Sequence, residues 1–497
     1  MRNANHEPLT KNTAAFRSNR VKNRHRKEPS LRGALAVLGT LGALFIGGAA
    51  VFRINIVVLL ALGGIFTTAV FRGYYGFGWR ELFLDGVLPL VGRAGSAMGV
   101  LLCVGPLIST WMLSGTIPYL MWLGISLLTP SSFLPTAFLL CCFASVITGT
   151  SWGTAGTFGV ALTCIAQALG VPSAATAGAI VAGAYFGDKL SPVSDTTLLA
   201  AAVAGVDVMD HIRSMLWTTL PGFFLAILLY TFAPGGEGGS SAHGDAVRQG
   251  LERSFFLHPV LLLPPLLLLV LAWLRVRVLL ALAAAVAAAI PFALLQGYGL
   301  ADILTGMFAG PGISSGNPAL DELLGRGGIL FLAGVVVVVC IAYVFAGQLE
   351  VTGTFRRIGD ALKERFIGTR KGRFVFSLSL VGIATAFGTG NSYLCAILPG
   401  GMFKELGDRI GVPRLVLSRT LEDSGTVVAP IVPWSAAAIY MSSVLGVETL
   451  DYLLWAPVCY LGFPAAWCYG FASDRKRKKK NISSGLPESD GDREDGE

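Results

Sequence analysis

The residues best equipped for chemistry are oxygen-bearing side chains set inside apolar sequence. Thr148-Gly149-Thr150-Ser151-Trp152 interrupts one apolar segment and Thr389-Gly390-Asn391-Ser392-Tyr393 another. Glycine frees the backbone there, and Thr150, Ser151, Asn391 and Ser392 bring hydroxyl and amide groups to carbonyls that lipid would leave unsatisfied. A third element, Gly187-Asp188-Lys189-Leu190-Ser191-Pro192-Val193-Ser194-Asp195-Thr196-Thr197, sets two carboxylates, a lysine and the hydroxyls of Ser191, Ser194, Thr196 and Thr197 between apolar flanks. A charged residue at the centre of a membrane helix costs about 2.5–3.5 kcal/mol on insertion scales, so such a cluster needs a compensating role. Pro192 breaks the helix between the aspartates, and the expected product is two half-helices with a polar junction suited to a small cation or a proton. Asp188 and Asp195 are the candidate ligands of a transported metal cation. The fourth element is Ser418-Arg419-Thr420-Leu421-Glu422-Asp423-Ser424, followed by Pro430 and Pro433. Adjacent acids cannot share one helix face, so one of Glu422 and Asp423 is expected in a cavity while the other pairs with Arg419 or caps a half-helix. Glu350, after a long apolar run, is expected at a membrane boundary.

The elements that must hold these groups are membrane helices. Of 497 residues, 53% are hydrophobic and 14% are charged, against about 25% charged in an ordinary soluble domain. That composition excludes a soluble multi-domain enzyme, a disordered chain and a fibrous one. The net charge of +8 gives no nucleic-acid face, because residues 1–32 alone hold 9 basic and 2 acidic groups. The expected fold is an all-α polytopic membrane protein of about 10–13 hydrophobic segments, with broken helices or re-entrant hairpins. Basic clusters at Arg24, Arg26, Lys27 and Arg32 and at Arg475 to Lys480 put both ends in the cytoplasm by the positive-inside rule. The expected organisation is a basic tail over 1–32, a transmembrane hairpin over 33–72, a first repeat over 90–233 and a polar linker over 234–258. Connecting segments over 259–328, a second repeat over 329–472 and a charged tail over 473–497 complete it.

The repeat is read directly. Thr148–Trp152 returns as Thr389–Tyr393, Leu169-Gly170-Val171-Pro172 as Ile410-Gly411-Val412-Pro413, and Pro192-Val193-Ser194 as Pro433-Trp434-Ser435, each 241 positions later. Ser114-Gly115-Thr116 returns as Thr352-Gly353-Thr354 with a three-residue slip. The connector Thr116 to Thr136 has no charge, whereas its counterpart Thr354 to Arg373 carries seven basic residues. Equivalent loops of such different charge belong on opposite sides of a membrane, which is the mark of an inverted repeat.

Enzymatic chemistry is not expected. Gly149-Thr150-Ser151-Trp152-Gly153 fits G-x-S-x-G, but a nucleophile elbow needs a strand, a helix and a triad, and the surroundings are helical. The five histidines (His6, His25, His211, His243, His258) fall in tails or near segment ends. The eight cysteines lie in apolar runs without a C-x-x-C pair and read as small apolar residues. No cofactor is expected.

Four stretches then resemble the NhaC-type Na+/H+ antiporter family of the wider ion-transporter superfamily: G-T-S-W-G-T-A-G-T from Gly149, G-A-Y-F-G-D-K-L-S-P-V-S-D-T-T from Gly183, D-H-I-R from Asp210, and L-S-R-T-L-E-D-S-G-T from Leu417. The likeness spans roughly residues 90 to 470. It implies a multi-pass protein of the bacterial inner membrane that exchanges Na+ for H+ by alternating access, with helix breaks at the T-G-T-S and T-G-N-S positions. The ion- or substrate-binding candidates are Thr150, Ser151, Asp188, Ser194, Asp195, Thr196, Thr197, Asn391, Ser392, Glu422, Asp423 and Ser424. The chain departs from the family pattern at Leu198 and Ser435, where members carry asparagine, and some members resemble exchangers of lactate, malate or amino acids. The expected partners are Na+, protons and the lipid bilayer, with a homodimer as the assembly to test and no nucleic acid.

Overall fold

The computed structural model describes residues 28–233, 241–313, 321, 324–325, 327–367 and 370–483, and the terminal tails fall largely outside them. Among the described residues the chain is helical and has no strand. The first two helices, α1 (Leu31–Ile46) and α2 (Ile56–Ala69), start where Ser30 and Asn55 accept hydrogen bonds from Gly33 N and Val57 N. The first half then runs α3 (Gly95–Leu113), α4 (Thr116–Leu127) and α5 (Pro130–Thr148). It continues as α6, which starts at Ser151–Thr154 and passes a wide turn into Val160–Ala168, then α7 (Ser173–Lys189), α8 (Asp195–Ala204) and α9 (Val208–Phe232). After an intervening segment containing α10 (Val278–Leu295), the second half follows. Its helices are α11 (Ile329–Val351), α12 (Thr354–Leu362), α13 (Lys371–Thr389), α14 (Ser392–Arg409), α15 (Arg414–Leu421, prolonged by the wide turn Glu422–Thr426), α16 (Ala436–Leu445) and α17 (Val458–Ser483).

Among the described residues seven helices are long and apolar enough to cross a membrane, and three bent pairs raise the count to ten if each is one span. With the bent pairs the count meets the expected 10–13 segments at its lower end; α4, α8 and Leu300–Ala309 are also apolar but only 10–12 residues long, too short for a bilayer of ~30 Å. Within the expected linker, residues 241–254 form a helix with Val247 and Leu251 buried. α17 continues to Ser483, so the basic run from Arg475 continues the same helix that begins at Val458.

The halves share a punctuation that side chains and glycines impose. Left-handed glycines end equivalent elements at Gly115 and Gly353, Gly149 and Gly390, Gly170 and Gly411, and Gly205 and Gly446. Thr150 and Asn391 then cap the next helix, as do Ser194 and Ser435. At Gly390 the requirement is tight, since φ is +57° and an added Cβ would meet Ser435 Cα at 2.8 Å. Gly390→Ala is expected to cost about 1–2 kcal/mol from the backbone alone, seen as a lower melting temperature in detergent. Gly401→Ala, on a helix face where no atom lies within 4 Å, should leave it unchanged.

Each half also lends a hairpin to the other. In the first half the tip between α5 and α6 carries Trp152, whose ring stacks on Tyr440 of α16 with centroids 4.7 Å apart. In the second half the tip between α13 and α14 carries Tyr393, the repeat equivalent of Trp152, and its hydroxyl donates to Asp195 of α8. Gly159 faces Leu445 as Gly400 faces Val203. A reciprocal exchange of this kind is what a two-fold relation produces, and the contrast in charge between the connectors puts that axis in the membrane plane.

Candidate functional site

Both hairpin tips and both half-helix junctions open on one cavity of about 550 Å3. Of the residues singled out from the sequence, Thr150, Ser151, Asp188, Asp195, Thr196, Asn391, Ser392 and Glu422 line it. Ser194, Thr197, Asp423 and Ser424 do not. Ser194 caps α8, its hydroxyl 3.0 Å from Thr196 Oγ1, and Thr197 donates to the Asp188 carbonyl at 3.2 Å. Ser424 donates back to Thr420 O at 2.6 Å within its own turn.

The chain breaks after Lys189, and Leu190 to Ser194 bridge to α8 as the proline predicts. This leaves Asp188 on the last turn of α7, 6% exposed. Its Oδ2 accepts from the Ser151 hydroxyl at 2.8 Å, and its Oδ1 has no partner among the described residues. A buried carboxylate oxygen without a donor is costly unless something else binds there. The helix C-termini of α5, α7 and α13 end around the same cavity, and their carbonyls favour a cation. Asp195 is more exposed than Asp188 and holds the Tyr393 hydroxyl, so the deeper carboxylate is Asp188.

The expected pairing with Arg419 does not occur. Asp423 Oδ1 instead meets Lys189 Nζ at 3.1 Å, with both side chains buried, so Lys189 neutralises an acid of the other half rather than its neighbour Asp188. Glu422 Oε2 lies 3.3 Å from Nε2 of His211, which is fully buried. Arg419 reaches Ser214 O at 3.4 Å and lies over the Tyr469 ring. These partners come from other helices, a relation that local spacing does not encode. Glu350 stands one residue before the end of α11, paired with Arg93 at 2.8 Å.

Three lining groups had no signal in the sequence pattern. Arg277 enters from the start of α10, outside both repeats, and Tyr185 and Tyr343 add aromatic wall. The two departures from the family pattern have separate fates. Ser435 caps α16, its Oγ 2.9 Å from Ala438 N, whereas Leu198 lies outside the cavity lining and is 42% exposed. All eight cysteines are free, five of them buried. Among the described residues no three His, Cys, Asp or Glu side chains are grouped to hold a resident metal.

A multi-pass helical protein whose two broken-helix repeats enclose an acidic cavity has the architecture of a secondary transporter. The chain belongs to the Na+/H+ antiporter family, whose model matches residues 115–207 and 183–473. It is 32% identical over 464 residues to the Na+/H+ antiporter NhaC of Alkalihalophilus pseudofirmus, covering 92% of this chain and 99% of that one. It is 34% identical over 449 residues to the malate-2H+/Na+-lactate antiporter of Bacillus subtilis, covering 89% and 95%. The arginine/ornithine antiporter ArcD of Halobacterium salinarum is 34% identical over 433 residues, covering 86% and 89%. Relatives this even in identity differ in what they carry, so the choice of substrate falls to the cavity.

Proposed function

We propose that this chain exchanges Na+ for protons by alternating access, with Asp188 binding either one. The observation that carries this reading is the buried Asp188 carboxylate beside the hydroxyl of Ser151 at the hairpin tip, with one oxygen left without a partner. A carboxylate in that setting takes a proton or a small cation but not both, and competition between them couples the two fluxes. Thr150 on the same tip, Asn391 and Ser392 on the tip of the opposite repeat, and Asp195 and Thr196 on the following half-helix complete the oxygen-rich wall. The reading includes a bacterial inner-membrane location with both ends cytoplasmic. It is supported by the basic stretch from Arg356 to Arg373, which starts beside the Arg93–Glu350 pair and ends where Asp474 of α17 caps the start of α13.

The test is purified protein in proteoliposomes. An imposed Na+ gradient should drive proton movement reported by an internal pH dye, with Li+ and K+ as comparison ions. Absence of any monovalent-cation-dependent proton flux sinks the proposal. A second reading, an exchanger of an organic anion or amino acid, is favoured by the size of the cavity, its aromatic walls (Trp152, Tyr185, Tyr343, Tyr393) and the guanidinium of Arg277. Counterflow of labelled lactate, malate or arginine in the same liposomes decides between them.

A further inference from the structure

Glu422 lines the cavity, and its carboxylate meets a histidine that lies outside the cavity lining. His211 Nε2 is 3.3 Å from Glu422 Oε2, and its Nδ1 is 3.0 Å from Ser418 Oγ. The same Ser418 hydroxyl is 3.1 Å from Leu415 O, so its single hydrogen has two acceptors in reach, the imidazole and the carbonyl. Two hydrogen arrangements therefore fit one set of heavy-atom positions. In one, Ser418 donates to Nδ1, and Nε2–H donates to an ionised Glu422. In the other, Ser418 donates to Leu415 O and accepts from Nδ1–H, while a further proton lies between Nε2 and Oε2. The arrangements differ by one proton, and both imidazole nitrogens, the Ser418 hydroxyl and Glu422 Oε2 have a partner in each.

We propose that Glu422, His211 and Ser418 form a second proton site, which loads and unloads by rotation of the Ser418 hydroxyl and opens to the cavity through Glu422. The proposal rests on the antiporter reading for its role in transport. On unloading, the proton passes to cavity water and leaves the Glu422 carboxylate and a neutral His211. One proton displaced from Asp188 and one from this trio against one Na+ move one net charge per cycle. The other charged and titratable groups around α9 have partners or positions of their own. On α7, Lys189 is held by Asp423, and Asp188 by Ser151. On α8, Asp195 holds Tyr393, and Arg419 is engaged by Ser214 O and the ring of Tyr469 on α17. The thiols of Cys141 and Cys142 on α5 and Cys459 on α17 are buried, and Asp207, Asp210 and Arg213 of α9 itself face outward.

The experiment has two arms on the full-length protein. The first uses no transported ion: 15N-histidine-labelled protein in detergent is titrated by NMR, and the His211 signal is identified by its loss in His211→Gln. His211 should pass from one tautomer at high pH to protonation on both nitrogens at low pH. In Ser418→Ala, which removes the hydroxyl partner of Nδ1, the midpoint of this transition should move. A His211 signal fixed in one tautomer across the pH range of transport, or a Ser418→Ala titration identical to wild type, overturns the proton site. The second arm measures Na+ flux in proteoliposomes at potentials set with valinomycin. Wild-type flux should respond to the potential and that of His211→Gln should not, while Na+ exchange persists; an unchanged response overturns the transport role. A wild type that moves no cation yet shows the His211 transition defeats the antiporter reading and supports the proton site. Cation exchange with a fixed His211 does the reverse.

Discussion

Asp188→Asn is expected to abolish cation-coupled proton flux while leaving the protein folded. The amide keeps an oxygen to accept from Ser151 Oγ, which lies 2.8 Å from Asp188 Oδ2, and keeps the shape of the side chain at the end of α7. What it loses is the negative charge and the site of protonation. A unit charge acting over 4 Å at an effective dielectric of 20 is worth about 4 kcal/mol, so apparent cation affinity should fall by about 10³-fold. The check is Na+-driven dye quenching in proteoliposomes, together with Na+-dependent thermal protection of the same preparation. The wild type should gain melting temperature with Na+ and the variant should not. Asp195→Asn is the informative companion. It removes the acceptor of the Tyr393 hydroxyl but leaves the buried carboxylate, so a partial loss is expected. Wild-type affinity in Asp188→Asn with loss in Asp195→Asn would reverse the assignment of the two aspartates.

Lys189→Met should be the most destabilising single change in the region, because it strands Asp423 as an uncompensated buried charge. The two side chains are 1% and 0% exposed, and removal of one member of a buried pair costs about 3–5 kcal/mol. Replacing both, as Lys189→Met with Asp423→Leu, removes the stranded charge and should recover most of the stability, giving a coupling energy of the same order. Thermal unfolding in detergent, run on all four members of the cycle, reads both quantities. A double variant no more stable than Lys189→Met would mean that the ammonium acts through something other than Asp423.

The breaks in the helices were legible because their causes are local. A glycine able to adopt positive φ, a hydroxyl or amide cap one residue on, and a proline after a polar run are visible in a string of letters, and they recur 241 positions apart at Gly149 and Gly390. The cavity was half legible for the same reason. Residues placed at a break, such as Ser151, Asp188 and Asn391, line it, whereas residues inside continuous turns, such as Ser424, satisfy themselves on their own helix. The pairing of charges was not legible. Lys189 and Asp423 are 234 residues apart, and His211 and Glu422 are 211 apart; the apparent partner Arg419 is close only in sequence. His211 read only as a histidine near a segment end because it stands in the first turn of α9. Only the packing of α9 against α15 turns it inward.

The exchange of hairpin tips between the halves has a consequence for biosynthesis. Trp152 and Tyr440 are 288 residues apart, and ribosomes add about 5–20 residues per second, so the first tip waits about 15–60 s for its cover. During that interval the polar loop at Thr150 and Ser151 has no finished cavity to face, and the nascent first half must be kept from lipid by whatever inserts it. Neither half is a self-sufficient folding unit, so two fragments split within the intervening segment should yield a working carrier only when made together.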